Sequence, residues 1–280
     1  MKKYIQGYYE GERALYNISD SEIIDCTFDN GESPLKECKN LVIKDTVFKW
    51  KYPLWYCNNI ECNGVTFLEL ARSGIWYTNN ITIKNSSIDT PKQFRRSSNI
   101  TLENVSIPHA DETLWNCKKI KMVNCQTCGD YFLMNSEDIY INGMNHSGNY
   151  IFDGCKNIEI HNARLDSKDS FWNCENVTVY DSVIVGEYLG WNSKNLTFIN
   201  CSIDSEQGMC YIDNIKMVNC KLVNTNLSFE RVSNIDAEIN SKIDSVKNPY
   251  SGVIKAKKIG EIILDKDIVD PTKTKIIEEE

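Results

Sequence analysis

The chain has 280 residues, 41% of them hydrophobic, and a net charge of -8. This is enough for one large domain with a real core, and an acidic balance without a basic cluster excludes nucleic acid and anionic membrane surfaces as partners. No apolar run approaches membrane-spanning length.

Met1 to Tyr9 carries two lysines but no apolar stretch of the kind a signal peptide needs, so a cytoplasmic location and reduced thiols are expected. Residues 1–14 precede the first repeat. They read as an N-terminal cap, because an uncovered coil would expose a strand template.

Residues 15–243 repeat a single phrase. A polar marker stands before each Ile/Leu/Val-x-apolar pair: Asp20, Asn40, Asn59, Asn80, Asn99, Lys119, Asp138, Asn157, Asn176, Asn195, Asn214 and Asn234, spaced 19 to 21 residues apart. One and three places on come pairs such as Ile81/Ile83, Ile158/Ile160 and Val177/Val179, the alternation of a strand with one buried face. Five places on stand Asp45, Gly64, Asn85, Asn104, Asn124, Gly143, Asn162, Asp181, Asn200 and Asn219, the residue types that tolerate positive φ, so a recurrent left-handed bend is predicted. Apolar residues return eight places after the marker (Phe28, Phe48, Phe67) and five places before it (Leu54, Leu114, Phe152, Phe171).

Each unit therefore holds two or three short strands separated by sharp bends, with no room for an ordinary helix. Such a unit buries its apolar positions only by stacking on identical units. The predicted fold is all-β: a single-stranded, right-handed parallel β-helix of about twelve coils with 19–20 residues per coil and capped ends. After Asn234 the phase loosens, and residues 244–280 read as a C-terminal cap and charged tail, with no second globular domain.

The ladder of Asn residues and the phrase Cys/Ser-x-Asn-Ile-x-Ile resemble the pectin-lyase-like superfamily of β-helices, and within it an uncharacterised bacterial family, a domain of unknown function. The superfamily includes polysaccharide lyases, hydrolases, esterases and non-enzymatic adhesin rods, so the resemblance implies a carbohydrate ligand more than any particular reaction. No catalytic motif of polygalacturonases or pectate lyases, and no calcium-binding acidic cluster of the lyases, is present.

Cys38, Cys57, Thr78, Ser97, Cys117, Ser136, Cys155, Cys174 and Ser193 share the column two places before the marker, and Cys26, Thr46, Ser86, Cys125, Ser182, Cys201 and Cys220 the column six places after it. Alternation with Ser and Thr marks small buried slots holding free thiols. Stacked pairs such as Cys155/Cys174 and Cys201/Cys220 come within disulfide reach, but the expected compartment argues against a bond. Cys125-x-x-Cys128 is half a zinc site without a second half, so no metal and no cofactor is expected.

Four places before the marker stand Trp55, Trp76, Arg95, Trp115, Met134, Asp153, Trp172 and Trp191, and the next place holds Tyr56, Tyr77, Arg96, Asn116, Asn135, Asn173 and Asn192. Rings beside amides and guanidiniums suit a sugar: ring faces stack and amides bond hydroxyls. Trp76, Tyr77, Arg95, Arg96, Trp115, Asn116, Asn135, Trp172 and Asn173 are the substrate-binding candidates. Asp111 and Asp130, 19 residues apart, are predicted to stack in adjacent coils, and Asp153 interrupts the Trp column. Carboxylates so placed can split their pKa values and act as acid and base, so these three are the catalytic candidates. Two readings stand: a face that binds an oligo- or polysaccharide and processes it as a hydrolase or lyase, or a non-catalytic rod that docks another protein or a second copy through its aromatic stripe.

Overall fold

The computed structural model describes residues 1–279. It divides into two compact units, Met1–Asn145 and His146–Glu280. Both are parallel β-solenoids, about fifteen turns in all. Among the described residues the helical structure is a single 3-10 turn, Pro271–Lys273, and no helix is long and apolar enough to cross a membrane.

In the first unit, strands Lys2–Ile5, Ser19–Ile24, Lys39–Lys44, Asn58–Asn63, Asn79–Ile88, Ser98–Ile107 and Lys118–Cys128 pair in succession, all parallel. The register places identical repeat positions side by side: Ile23 on Ile43, Ile43 on Cys62, Cys62 on Ile83, and Ile83 on Leu102. All of these side chains are buried. A second core column is aromatic: Phe28, Phe48 and Phe67 stack with centroids 5.2 and 4.8 Å apart. The second unit repeats the plan from Lys156–His161 through Glu175–Tyr180, Lys194–Ile199, Asp213–Val223, Ser233–Lys247 and Gly252–Ile263 to Thr274–Glu278.

The turns number about fifteen rather than about twelve because the segments expected as caps also coil. Lys2–Ile5 and Tyr8–Glu10 pair in parallel with the first marked turn, and Gly252–Ile263 and Thr274–Glu278 continue the ladder beyond Asn234. Those segments lack the Asn marker but keep the alternation that a stacked strand needs.

The bends are left-handed, as the Asn/Gly/Asp column predicts: Asp45, Asn85, Asn104, Asn162 and Asn200 have φ of 47, 48, 55, 52 and 54°. The marker column is left-handed too, from Asp20 (φ 50°) through Asn99 (53°) to Asn234 (55°). Asn adopts this conformation with little penalty and its amide then reaches the next turn. Asn59 Nδ2 donates to Asn40 Oδ1 at 2.9 Å, and Asn195 Nδ2 to Asn176 Oδ1 at 2.9 Å. A second amide ladder runs along the bend column, with Asn104 donating to Asn85 at 3.0 Å and Asn219 to Asn200 at 2.8 Å.

Two further columns are left-handed, the first without any Asn to announce it. Five places before the marker, Phe94, Leu114, Phe152 and Phe171 have φ of 55, 59, 68 and 58° while fully buried. Three places before it, Tyr56, Tyr77, Arg96 and Asn116 have φ of 57, 58, 50 and 55°. Each such residue costs roughly 1–2 kcal/mol locally, and for the Phe and Leu residues core burial offsets it. These paired bends make a tight corner whose geometry places the candidate site.

Candidate functional site

At that corner the residues four places before the marker stand outside the core, half-buried. In the first unit they form a continuous stack. Trp55 and Trp76 lie parallel, centroids 5.4 Å apart with 9° between the planes. The Arg95 guanidinium comes next, 5.0 Å from the Trp76 ring and 4.5 Å from the Trp115 ring. Arg95 is thus sandwiched between two indoles, a favourable cation–π arrangement when partly desolvated. Its Nη2 also donates to Glu112 Oε2 at 2.6 Å, and Lys92 approaches the other Glu112 oxygen at 3.3 Å. Beside this stack a second one pairs Tyr56 with Tyr77 at 4.8 Å and 6°. Arg96, Asn116 and Asn135 follow in the same column, exposed.

The indole edges are tied down. Trp55, Trp76 and Trp115 Nε1 donate to the carbonyls of Ser73, Lys92 and Tyr131 at 2.5, 2.8 and 2.6 Å, each in the following turn. In this unit the facing ring surfaces are therefore occupied by neighbouring rings or by Arg95, and the stripe offers edges rather than open faces.

Asp111 and Asp130 do stack in adjacent turns, and Asp111 Oδ1 accepts the backbone N–H of Asp130 at 3.0 Å. The turns approach closely here: a Cβ on Gly129, at φ 155°, would lie 2.4 Å from the Asp111 nitrogen. The Asp111 carboxylate serves the bend itself. Glu112 is the carboxylate that reaches the aromatic stack.

The second unit has a different corner. Trp172 and Trp191 are 5.8 Å apart but tilted by 32°, and Trp191 and Tyr211 are 4.3 Å apart and tilted by 33°. The tilt opens a cleft of about 360 Å³ lined by Trp172, Tyr188, Trp191 and Gln207. Gln207 is positioned by Asn226 Oδ1, which accepts its N–H at 3.0 Å, and by Glu230 Oε2, which accepts from its Nε2 at 2.9 Å. Lys247 holds Glu230 from the far side at 3.1 Å. Asp153 is half-buried and accepts from Asn173 Nδ2 at 2.7 Å; Asn173 in turn accepts from Asn192 at 2.9 Å, so both belong to an amide ladder flanking the Trp column. Asp111 and Asp130 lie in the first unit and Asp153 in the second.

Tyr188 and Gln207 were missed because they stand seven places before the marker, a column that strand alternation does not place with the tryptophans. The left-handed residue five places before the marker, such as Phe171 or Gly190, lies between the two columns and turns them to the same side. The same column holds Asp169, which pairs in register with Tyr188 and is 2% exposed. Burial pushes its carboxyl above the ordinary aspartate range, partly opposed by Lys168 and by a hydrogen bond from Tyr150. Tyr150 meets the Trp172 ring edge-on at 5.7 Å. Folding thus disfavours ionisation of Asp169: the carboxyl favours stability while protonated, and that contribution is lost as pH rises through its raised folded pKa. Asp169→Asn keeps an acceptor for Tyr150 and removes the charge. Its melting temperature is expected to exceed that of the parent by about 2–4 °C at pH 7 and to converge with it near pH 3. A lower value at pH 7 would mean that the ionised carboxylate is needed.

All twelve cysteines are free, and Cys128 alone is exposed. Cys125 is buried while Cys128 faces outward, so the C-x-x-C pair does not converge, and no metal-holding group of His, Cys, Asp and Glu occurs among the described residues. The thiols donate to backbone carbonyls, as Cys57 does to Leu35 O at 3.0 Å and Cys174 to Phe152 O at 3.0 Å. Ser and Thr hydroxyls do the same in this column, Thr78 donating to Leu54 O at 2.5 Å. Either side chain satisfies the carbonyl, which explains the alternation. Burial pushes the Cys38 thiol up to about 11 and those of Cys57 and Cys117 up to about 12.

A family model described as "Protein of unknown function (DUF3737)" matches residues 2–277. No curated protein matches the chain. Among solved structures, the chain is similar to the surface protein and adhesin PfbA of Streptococcus pneumoniae, at 10% identity over 97% of this chain and 91% of that one, with a TM-score of 0.34. It is similar to the A-module of the mannuronan C-5 epimerase AlgE4 of Azotobacter vinelandii, at 10% identity over 98% and 87%, TM-score 0.34. It is also similar to the Agl-KA catalytic domain, at 12% identity over 99% of this chain and 61% of that one, TM-score 0.34.

Proposed function

The chain belongs to the DUF3737 family, and for this member we propose carbohydrate binding at the cleft of the second unit. The observation that carries the reading is the tilted pair Trp172 and Trp191, which with Tyr188 and Gln207 lines a cleft of about 360 Å³. A pyranose presents apolar C–H faces and equatorial hydroxyls. Indole and phenol rings accept the first and the fixed Gln207 amide the second. The exposed Asn173 and Asn192 amides extend the same edge along the turns. In this reading the first unit's Trp76, Arg95 and Trp115 brace the corner, since Arg95 fills the ring faces a sugar would use. The proposal is binding; it assigns no reaction to Asp111, Asp130 or Asp153, of which the Asp111 carboxylate accepts at the bend and that of Asp153 joins the amide ladder.

Intrinsic fluorescence tests the proposal directly, because five of the six tryptophans lie in the stripe. Titration with a panel of neutral and acidic oligosaccharides is expected to give a saturable change. Trp191→Ala is expected to weaken binding at least tenfold, about 1.4 kcal/mol, with Trp76→Phe leaving it unchanged. A flat titration across the panel, or equal loss in both variants, would overturn the assignment. A second reading, an aromatic face that docks another copy, draws support from the exposed Tyr56, Leu68 and Leu70 of the first unit. Light scattering that gives a dimer mass, with a monomer on replacing Leu68 and Leu70 by serine, would favour it.

A further inference from the structure

We propose that Cys201 and Cys220 are a redox-active pair that a hydroperoxide converts to a disulfide, stapling two successive turns of the second unit. The two residues occupy the same repeat position in adjacent turns, next to the register pair Ser202 and Lys221, and the Lys221 N–H donates to the Cys201 carbonyl at 2.9 Å. Neighbouring strands lie about 4.8 Å apart, inside the Cα separation of about 4.4–6.8 Å that a disulfide spans. Both side chains point into the same core slot: Cys201 is 2% and Cys220 0% exposed. The thiols donate to successive carbonyls, Val179 O at 3.5 Å and Phe198 O at 3.4 Å.

Two other cysteine pairs stack in adjacent turns, Cys38/Cys57 and Cys155/Cys174, both in the column two places before the marker. What sets Cys201/Cys220 apart is its far side. The ladder between Asp213–Val223 and Ser233–Lys247 shifts register between Met217 and Cys220, whereas the regular pairings around Cys57 and Cys174 show no such shift. An irregular rung opens more readily than a regular one, which admits a small oxidant to an otherwise closed slot. Burial pushes the Cys57 and Cys174 thiols up, whereas the Cys201 and Cys220 side chains hydrogen-bond to each other.

The chemistry balances with hydrogen peroxide as the oxidant. The thiolate of one partner attacks one peroxide oxygen, the O–O bond breaks, and hydroxide leaves to take a proton as water. The resulting sulfenic sulfur is attacked by the other cysteine, its S–O bond breaks, and a second water carries off that cysteine's proton. Two thiols and one peroxide become one disulfide and two waters.

The folded full-length chain is treated with hydrogen peroxide, quenched, denatured, alkylated and mapped by mass spectrometry. Exposed Cys128 reports the oxidant dose. The expected result is a peptide pair linked through Cys201 and Cys220, lighter by two hydrogens, together with a higher unfolding midpoint. Cys220→Ser is expected to abolish the link and leave Cys201 alkylated. Serine suits this slot, since Ser182 fills it one turn earlier. Cys201→Ser supplies an independent second variant. Recovery of both thiols fully alkylated after Cys128 has been oxidised would overturn the proposal. So would equally fast linking of Cys38 to Cys57 or of Cys155 to Cys174.

Discussion

Phe48→Ala is expected to destabilise the protein by about 3–5 kcal/mol, the cost of emptying a fully buried aromatic site. Phe48 is 0% exposed and sits in the middle of a stack, between Phe28 at 5.2 Å and Phe67 at 4.8 Å. Phe28 in turn packs on Tyr9 at 5.1 Å, so the column reaches the first turn. In a solenoid each turn is stabilised chiefly by its two neighbours, and removing the central ring weakens both interfaces of its turn. A midpoint drop on the order of 10 °C follows for a chain of this size. Tyr56→Ala, which removes a ring from the outer stack at 47% exposure, is expected to shift the midpoint far less. Thermal melts of the two variants decide the point; equal shifts would mean that the inner column does not carry the stability.

Asn176 yields the second large effect. Its φ is 60°, its Nδ2 donates to Asn157 at 3.1 Å, and its Oδ1 accepts from Asn195 at 2.9 Å. Asn176→Val removes two amide bonds, about 1 kcal/mol each. It also forces a β-branched residue into the left-handed region at roughly 1–2 kcal/mol more. The expected total is about 3 kcal/mol by that sum. Asn176→Gly loses the same bonds but suits the backbone, so its cost should be about 2 kcal/mol, that of the bonds alone. The order of midpoints, Asn above Gly above Val, separates backbone conformation from side-chain bonding. Valine tolerated as well as glycine would contradict the left-handed marker column.

Most of the fold is written in the repeat. The period, the inward Ile/Leu/Val columns and the Asn/Gly/Asp bends follow from alternation and from the few residue types that accept positive φ. The extra turns at either end were illegible because Lys2–Ile5 and Thr274–Glu278 carry the alternation without the Asn marker. Membership in a family of unknown function with a β-helix fold is borne out. The corner was the hard part. Phe94, Leu114 and Phe171 are poor left-handed residues by propensity, and only core burial holds them there, so no local signal announces the bend. Without it, Trp172 and Trp191 are legible as a column, but Tyr188 and Gln207 are not legible as their neighbours. Arg95 shows a related limit: its place in the Trp column was plain from spacing, whereas its capture between Trp76 and Trp115 with Glu112 depends on side-chain directions that spacing does not give.

The most direct measurement is a crystal structure of the full chain soaked with neutral oligosaccharides at saturating concentration. Binding at the second unit's corner requires a sugar ring between Trp172 and Trp191, its C–H face about 4 Å from an indole and a hydroxyl bonded to Gln207. A cleft left empty, or filled by a neighbouring copy of the chain, would contradict the carbohydrate reading and turn attention to the aromatic stripe as an interface.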